Sequence, residues 1–346
     1  MEPRQPEMAH NPSTGASRAR LPAVKALEVF ARRARGRAAL SRLDAAAVEV
    51  FDAFDAAGVQ AVLLKGPALA QLLYKADEHR GYSDVDLLVA PRQLAAAERV
   101  LAGLGYANIA DRLGIDDVAG VLNAETWTRV GGTETATAGT MVDMHWQLPG
   151  SEASPEAAWE ALTRGCERVE LQGRRVPTLA VEGLALHLAT HAAHHGPRHE
   201  QPIEDLAKGL ERWSPDVWRA AGRLAGEIEA TEAFGAGLRQ IPPGAALAGE
   251  LGLPATDGLE WRIAHRAARP RGASRLQAFE EARSLSERAA VLRRSLFPRR
   301  EWIAWQYHWA RGSRLRMVAA RVLHLMRAPM WAARAWRFQR RARRAE

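Results

Sequence analysis

Two aspartates set two apart inside an apolar run, in Ser83-Asp84-Val85-Asp86-Leu87-Leu88-Val89, constrain this chain more than any other feature. In a strand, side chains two apart point to the same face, so Asp84 and Asp86 stand side by side. The valine and leucines around them supply the buried framework. Adjacent carboxylates repel, and the pair is costly unless cations lie between them. A divalent-metal site follows, with Mg²⁺ first because it takes oxygen ligands and commonly holds substrate phosphates. A polar strand end facing water would show the same tripeptide, so its neighbours decide. Lys65-Gly66 closes the preceding apolar run, where glycine lets a backbone come close to phosphate. Arg80 and Ser83 stand just ahead of the pair, and Met141-Val142-Asp143-Met144-His145-Trp146 carries a third acid in an alternating setting. Asp143 on a neighbouring strand would complete a metal cluster and could take a proton from an attacking hydroxyl.

Lys65-Gly66, then Arg80-x-x-Ser83-Asp84-x-Asp86-Leu-Leu-Val, then Asp143-x-His145-Trp146 resembles the uncharacterised nucleotidyltransferase family of the DNA polymerase β-like superfamily. The resemblance implies that Asp84 and Asp86 are paired metal ligands, that Asp143 is the third acid, and that Gly66 is the turn glycine. It implies two Mg²⁺ ions, with Mn²⁺ as an alternative, and an NTP such as ATP held by Lys65, Gly66, Arg80 and Ser83. The chain departs from the superfamily at Lys65-Gly66-Pro67, where no serine follows the glycine. The likeness extends to Leu186-His187-Leu188 with His191, His194 and His195, to Asp205-Leu206, and to Ser295-Leu296-Phe297-Pro298 before Arg299-Arg300-Glu301-Trp302, so it spans roughly residues 25 to 325. Such proteins resemble products of bacterial surface-polysaccharide or peptide biosynthetic gene clusters, which implies a sugar, peptide or small-metabolite acceptor.

Composition fits an enzyme of the cytoplasm. A chain of 346 residues with 47% hydrophobic and 25% charged residues can bury a sizeable core. A single cysteine, Cys166, excludes an internal disulfide and reads as a packed side chain. No signal core or 18-residue apolar stretch occurs, and residues 1–20 are polar and proline-rich, so disorder is expected there. Residues 311–346 hold eleven arginines and one glutamate, a sum of +10 against +8 for the whole chain, so residues 1–310 sum to −2. The basicity belongs to the tail, and nucleic acid is not an expected partner. Lysine occurs only at 25, 65, 75 and 208, which makes Lys65 informative as a compact charge for a phosphate oxygen.

Periodicity predicts helices at 43–57, 67–74 and 91–104, and strands at 59–64, 85–89, 125–130 and 140–147. Beyond Ser154 it predicts a short extended pair at 168–171 and 175–179 and helices near 181–195, 202–213, 215–239, 257–268, 274–294 and 313–326. The fold expected is α+β, a mixed sheet backed by helices in a polymerase β-like nucleotidyltransferase domain at 21–150. A helical domain at 151–310 and an arginine-rich amphipathic tail at 311–346 follow. His187, His191 and His195 recur at helical spacing and are open to three readings: zinc, contact with nucleotide or acceptor, or packing. The tail is likewise open to docking on its own domain, to an anionic membrane surface or acidic partner, or to nucleic acid.

The expected activity is metal-dependent transfer of an NMP group from an NTP to a hydroxyl or phosphate acceptor, with release of pyrophosphate. A nucleotide-binding module without turnover and a transferase with a nucleotide-sugar donor are the alternatives. The sequence names neither the base, the acceptor nor the oligomeric state.

Overall fold

The computed structural model describes residues 20–75, 78–113, 124–129, 139–255, 275–276, 279–280, 282 and 284–345. The predicted helix at 257–268 lies outside these residues. At the centre is a seven-stranded mixed sheet. Its strands are β1 (Ala61–Leu63), β2 (Val85–Val89), β3 (Tyr106–Asn108), β4 (Ala124–Arg129), β5 (Met141–His145), β6 (Glu167–Leu171) and β7 (Arg174–Thr178). They lie in the order β3-β4-β5-β2-β1-β7-β6, with β2 parallel to β5, β1 parallel to β7, and the other neighbours antiparallel. The mixed α+β architecture expected from sequence is the one found. The extended pair in the later part of the chain joins this same sheet through β7.

Alternation along the central strands sorts side chains to two cores. Leu63, Val85, Leu87, Val89, Val142 and Met144 face α1 (Arg20–Ala56), which adds Val50, Phe51 and Phe54, and α3 (Leu94–Gly103), which adds Ala97 and Leu101. Between these helices in sequence lies the short α2 (Pro67–Leu72), and α4 (Ile109–Leu113) follows β3. Val62, Leu64 and Leu88 face the opposite way, into a helical layer made by α5 (Pro155–Thr163), α6 (Val181–His195), α7 (Glu200–Arg212), α8 (Pro215–Glu227), α9 (Thr231–Leu238) and α10 (Pro242–Glu250).

Helix α6 is the spine of that layer: ten of its residues, Gly183 to Thr190 with Ala192 and Ala193, are buried. A helix apolar nearly all round must be surrounded, and α7, α8 and α9 surround it. Helix α9 approaches so closely that a Cβ at Gly237 would stand 1.8 Å from the Ala189 carbonyl oxygen.

The predicted helix at 215–239 is two helices. Glu229 adopts φ 53°, and the 151–153 loop takes the freed carbonyls: Ser151 Oγ and Ala153 N donate to Ile228 O, and Glu152 N to Glu229 O. After helices Leu285–Leu296 and Arg300–Gln306, the last helix runs from Arg314 to Ala345 without stopping at Pro329. Trp331 still packs on His324, with ring centroids 5.1 Å apart, and Ala335 is fully buried, so the residues beyond the proline keep the same seam.

Candidate active site

Parallel pairing of β2 with β5 sets Asp86 directly opposite Asp143. Two residues further along the same face, His145 stands opposite Leu88. One donor atom from each of Asp86, Asp143 and His145 can be chosen so that all lie within 4.8 Å of one another. Asp84 stands beside this trio, where β2 begins. All of these groups lie on the face that meets the helical layer.

Lys65 follows β1 and leads into Gly66, whose φ of 64° and ψ of −117° favour glycine. That turn sends Lys65 Nζ to within 2.9 Å of Asp86 Oδ1, and His145 Nε2 lies 3.5 Å from the same oxygen. Pro67 then opens α2 at its first turn. Ser83 is exposed immediately before Asp84.

The carboxyls differ in charge preference. Burial pushes Asp86 up, but Lys65 and His145 together outweigh it and hold the group well below the usual carboxylate range. Burial and the Asp86 charge raise Asp84 to about 6. Burial, then Asp86, raises Asp143 as well. Burial alone would lower Lys65, yet the surrounding aspartates raise it, so it stays an ammonium. The site thus holds one firmly ionised carboxylate flanked by two that take up protons readily.

Its polar atoms are short of partners. Asp86 Oδ2, Asp143 Oδ1 and His145 Nδ1 are buried with neither a hydrogen bond nor an ion pair, whereas Asp86 Oδ1 is met by Lys65 and His145 Nε2. Buried polar atoms left this way cost stability unless a ligand meets them. Two carboxylates and an imidazole with open valences fit a divalent cation. The nitrogen donor suits Mn²⁺ better than a purely oxygen-lined site would, while leaving Mg²⁺ possible.

Arg80 sits differently from a free phosphate ligand. Its Nε and Nη2 donate to the two oxygens of Asp205 on α7, at 2.9 and 2.7 Å, and both residues are buried. Tyr74 donates to the same carboxylate at 2.6 Å and Gln201 at 3.1 Å, while Arg80 Nη1 lies 3.4 Å from the Gly66 carbonyl. Nearby, Lys208 and Arg212 of α7 bind Glu78 at 2.9 and 2.7 Å. The turn bearing Lys65 is therefore bolted to the helical layer.

From that layer, His187 of α6 is 1% exposed and neither of its ring nitrogens has a hydrogen bond. Burial, then the Lys65 and His145 charges, push it down to about 3, so it is neutral. His191, His195 and His199 follow it in a column, with centroid spacings of 5.4, 4.5 and 5.1 Å. Among the described residues, these rings form no convergent three-donor group. Sequence reasoning does not single out His145, although its place two residues after Asp143 is the signal that could find it. His187 is one of five histidines, and only packing shows that it is fully buried within reach of the Lys65, His145 and Asp86 charges, with His195 also feeling Asp86.

The chain belongs to the uncharacterised nucleotidyltransferase family, which it matches over residues 8–241. Its class is accordingly that of a nucleotidyltransferase, and its acid-bearing sheet is the fold expected of one. The matched part ends before Ser295–Trp302 and before the last helix. No curated protein matches the chain. Among solved structures, the antibiotic-resistance factor ANT(2'')-Ia in solution is 14% identical, with a TM-score of 0.38 over 55% of this chain and 94% of that one. A crystal structure of ANT(2'')-Ia with adenylyl-2''-tobramycin gives 15%, 0.38, 53% and 97% in the same order. An antigenic nucleotidyltransferase-like protein from Paracoccidioides brasiliensis gives 14%, 0.30, 56% and 93%. Likeness at this level transfers neither substrate nor site.

Proposed function

We propose that this protein transfers an NMP group from an NTP to a hydroxyl or phosphate acceptor and releases pyrophosphate. The observation that carries the reading is the convergence of Asp86, Asp143 and His145, each with a buried donor atom that no other group meets, in a chain of the nucleotidyltransferase family. Asp86, Asp143 and His145 would hold a divalent ion, with Asp84 beside them for a second. A bound divalent ion at such a site offsets charge on the triphosphate and on the reacting phosphorus.

The chain's own residues would do the rest. Lys65 neutralises Asp86 in the free protein and turns toward a phosphate oxygen when nucleotide arrives. Gly66 sets the direction of that turn, with Ser83 at its open side. Arg80 acts as a positioning residue that fixes the turn through Asp205. The acceptor oxygen bonds to the α-phosphorus while the bond from that phosphorus to the bridging oxygen breaks, and pyrophosphate leaves with the electron pair. The acceptor proton passes to Asp143, the acid set opposite Asp86 across the β2–β5 pair. A sugar, a peptide or a small metabolite is the acceptor class proposed, in the cytoplasm.

The test is release of pyrophosphate from each of the four NTPs with Mg²⁺ or Mn²⁺ and a lysate of the source organism as acceptor pool. Release by the wild type and its loss in Asp86→Ala supports the reading and names the donor. Mg-NTP binding with no release from any NTP would instead support a binding module. A product heavier by a hexose rather than a nucleotide would support a nucleotide-sugar donor.

A further inference from the structure

The large apolar side chains that stand exposed among the described residues all fall between 285 and 336, outside the part matching the family. Most lie on the last helix, Arg314–Ala345. One side of that helix is already used. Met317 and Ala320 pack with Ile303, Tyr307 and Ala310, and His324 Nε2 lies 2.9 Å from the Ser295 carbonyl oxygen. The opposite side is not covered. Leu315, Val318, Val322 and Leu325 recur at spacings of three, four and three, with Met326 and Met330 beside them. Leu315 is 84% exposed, Met326 73%, Val318 59% and Val322 52%.

At 3.6 residues per turn these six side chains form a stripe about 23 Å long, centred opposite the buried seam. Arg314 and Arg321 line one flank, and Arg316, Arg327 and Arg334 line the other; all five are exposed. No acidic residue occurs in Arg314–Ala345. Pairing with a second copy would bring arginine rows together at helix-packing distance with no carboxylate to offset them. An anionic bilayer accepts both features at once, because its acyl boundary covers the stripe and its headgroups meet the arginines. Among the described residues no helix is long and apolar enough to cross a membrane. The helix would lie on the surface instead.

We infer that the last helix is a docking surface for an anionic lipid bilayer, seated through Leu315, Val318, Val322, Leu325, Met326 and Met330. The inference is independent of the transfer activity.

Flotation of the full chain with phosphatidylcholine vesicles, with and without 30% phosphatidylglycerol, tests it. The wild type should float with the phosphatidylglycerol vesicles only. Val318→Asp/Val322→Asp should lower partitioning roughly tenfold to a hundredfold. Arg316→Glu/Arg327→Glu should erase the preference for anionic lipid. Both variants change exposed positions, and an unchanged thermal unfolding curve confirms that each is folded. Three results would overturn the inference: wild type left behind by anionic vesicles, equal flotation of the valine variant, or a wild-type dimer that this variant makes monomeric.

Discussion

Arg80 and Asp205, 125 positions apart, meet as a buried fork on a carboxylate, with hydrogen bonds of 2.9 and 2.7 Å. The pair joins the loop before the acidic strand to the helical layer. Removing one partner leaves an uncompensated buried charge, which typically costs about 3–5 kcal/mol. Asp205→Ala should therefore destabilise the fold by about that much in urea unfolding. Arg80→Met combined with Asp205→Leu should cost much less than the sum of the two single changes. A strictly additive double mutant would show that the two residues act apart.

The mixed donor set predicts a metal preference. In the absence of nucleotide, Mn²⁺ should raise the melting temperature more than Mg²⁺ at equal concentration, because a ligand that binds only the folded state stabilises it. His145→Asp should bring the two ions closer together, and Asp86→Asn should abolish both shifts and cut pyrophosphate release by about a thousandfold. An unchanged ratio of the two shifts in His145→Asp would place the imidazole outside the coordination shell.

Asp84 gives the site a cost that varies with pH. Its pKa is about 6 when folded, above the ordinary 3.8, so the folded protein holds the proton more tightly than the unfolded chain does. With metal chelated, the penalty is absent below about pH 4, grows as pH rises to 6, and is complete above it. Asp84→Asn should match the wild type near pH 4 and exceed it at pH 8 by about 1–3 kcal/mol, with activity lost. Equal stability of the two proteins at pH 8 would contradict the strain assigned to this carboxyl.

His187 works in the other direction. It is held neutral down to about pH 3 in the fold, whereas in the unfolded chain it takes up a proton below about 6.5. Its contribution is therefore intact above pH 6.5 and is lost progressively as pH falls toward 3. Replacement by leucine should flatten that acid limb, leaving the variant about 2 kcal/mol better placed than wild type at pH 5 relative to pH 8. A parallel pH profile for the two proteins would move the acid-sensitive group elsewhere, to His191 or His195.

Much of the acidic strand was legible because its signal is local. A period of two puts Asp84 and Asp86 on one face, and the alternation in Met141–His145 puts Asp143 and His145 on one face, whatever surrounds them. Gly66 after an apolar run marks a turn for an equally local reason, the backbone freedom of glycine. Spacing alone carries the last helix only to about 326, whereas packing of Trp331 and Ala335 carries it on through Pro329.

Sequence alone thus determined the types of β1, β2, β4 and β5 and of the longer helices, the acid-bearing strand and the family likeness, since each is written in short-range spacing, while β3, α4 and α10 went unread. Only the tertiary structure decided that β5 lies parallel to β2 with Asp143 opposite Asp86, and that Arg80 spends its fork on Asp205. It alone buried His187 within reach of the Lys65 and His145 charges, and it alone divided the last helix into a covered seam and an open apolar stripe. The physical reason is the same in each case. Spacing fixes which way a side chain points from its own strand or helix, but what it meets is set by packing between segments far apart in the chain.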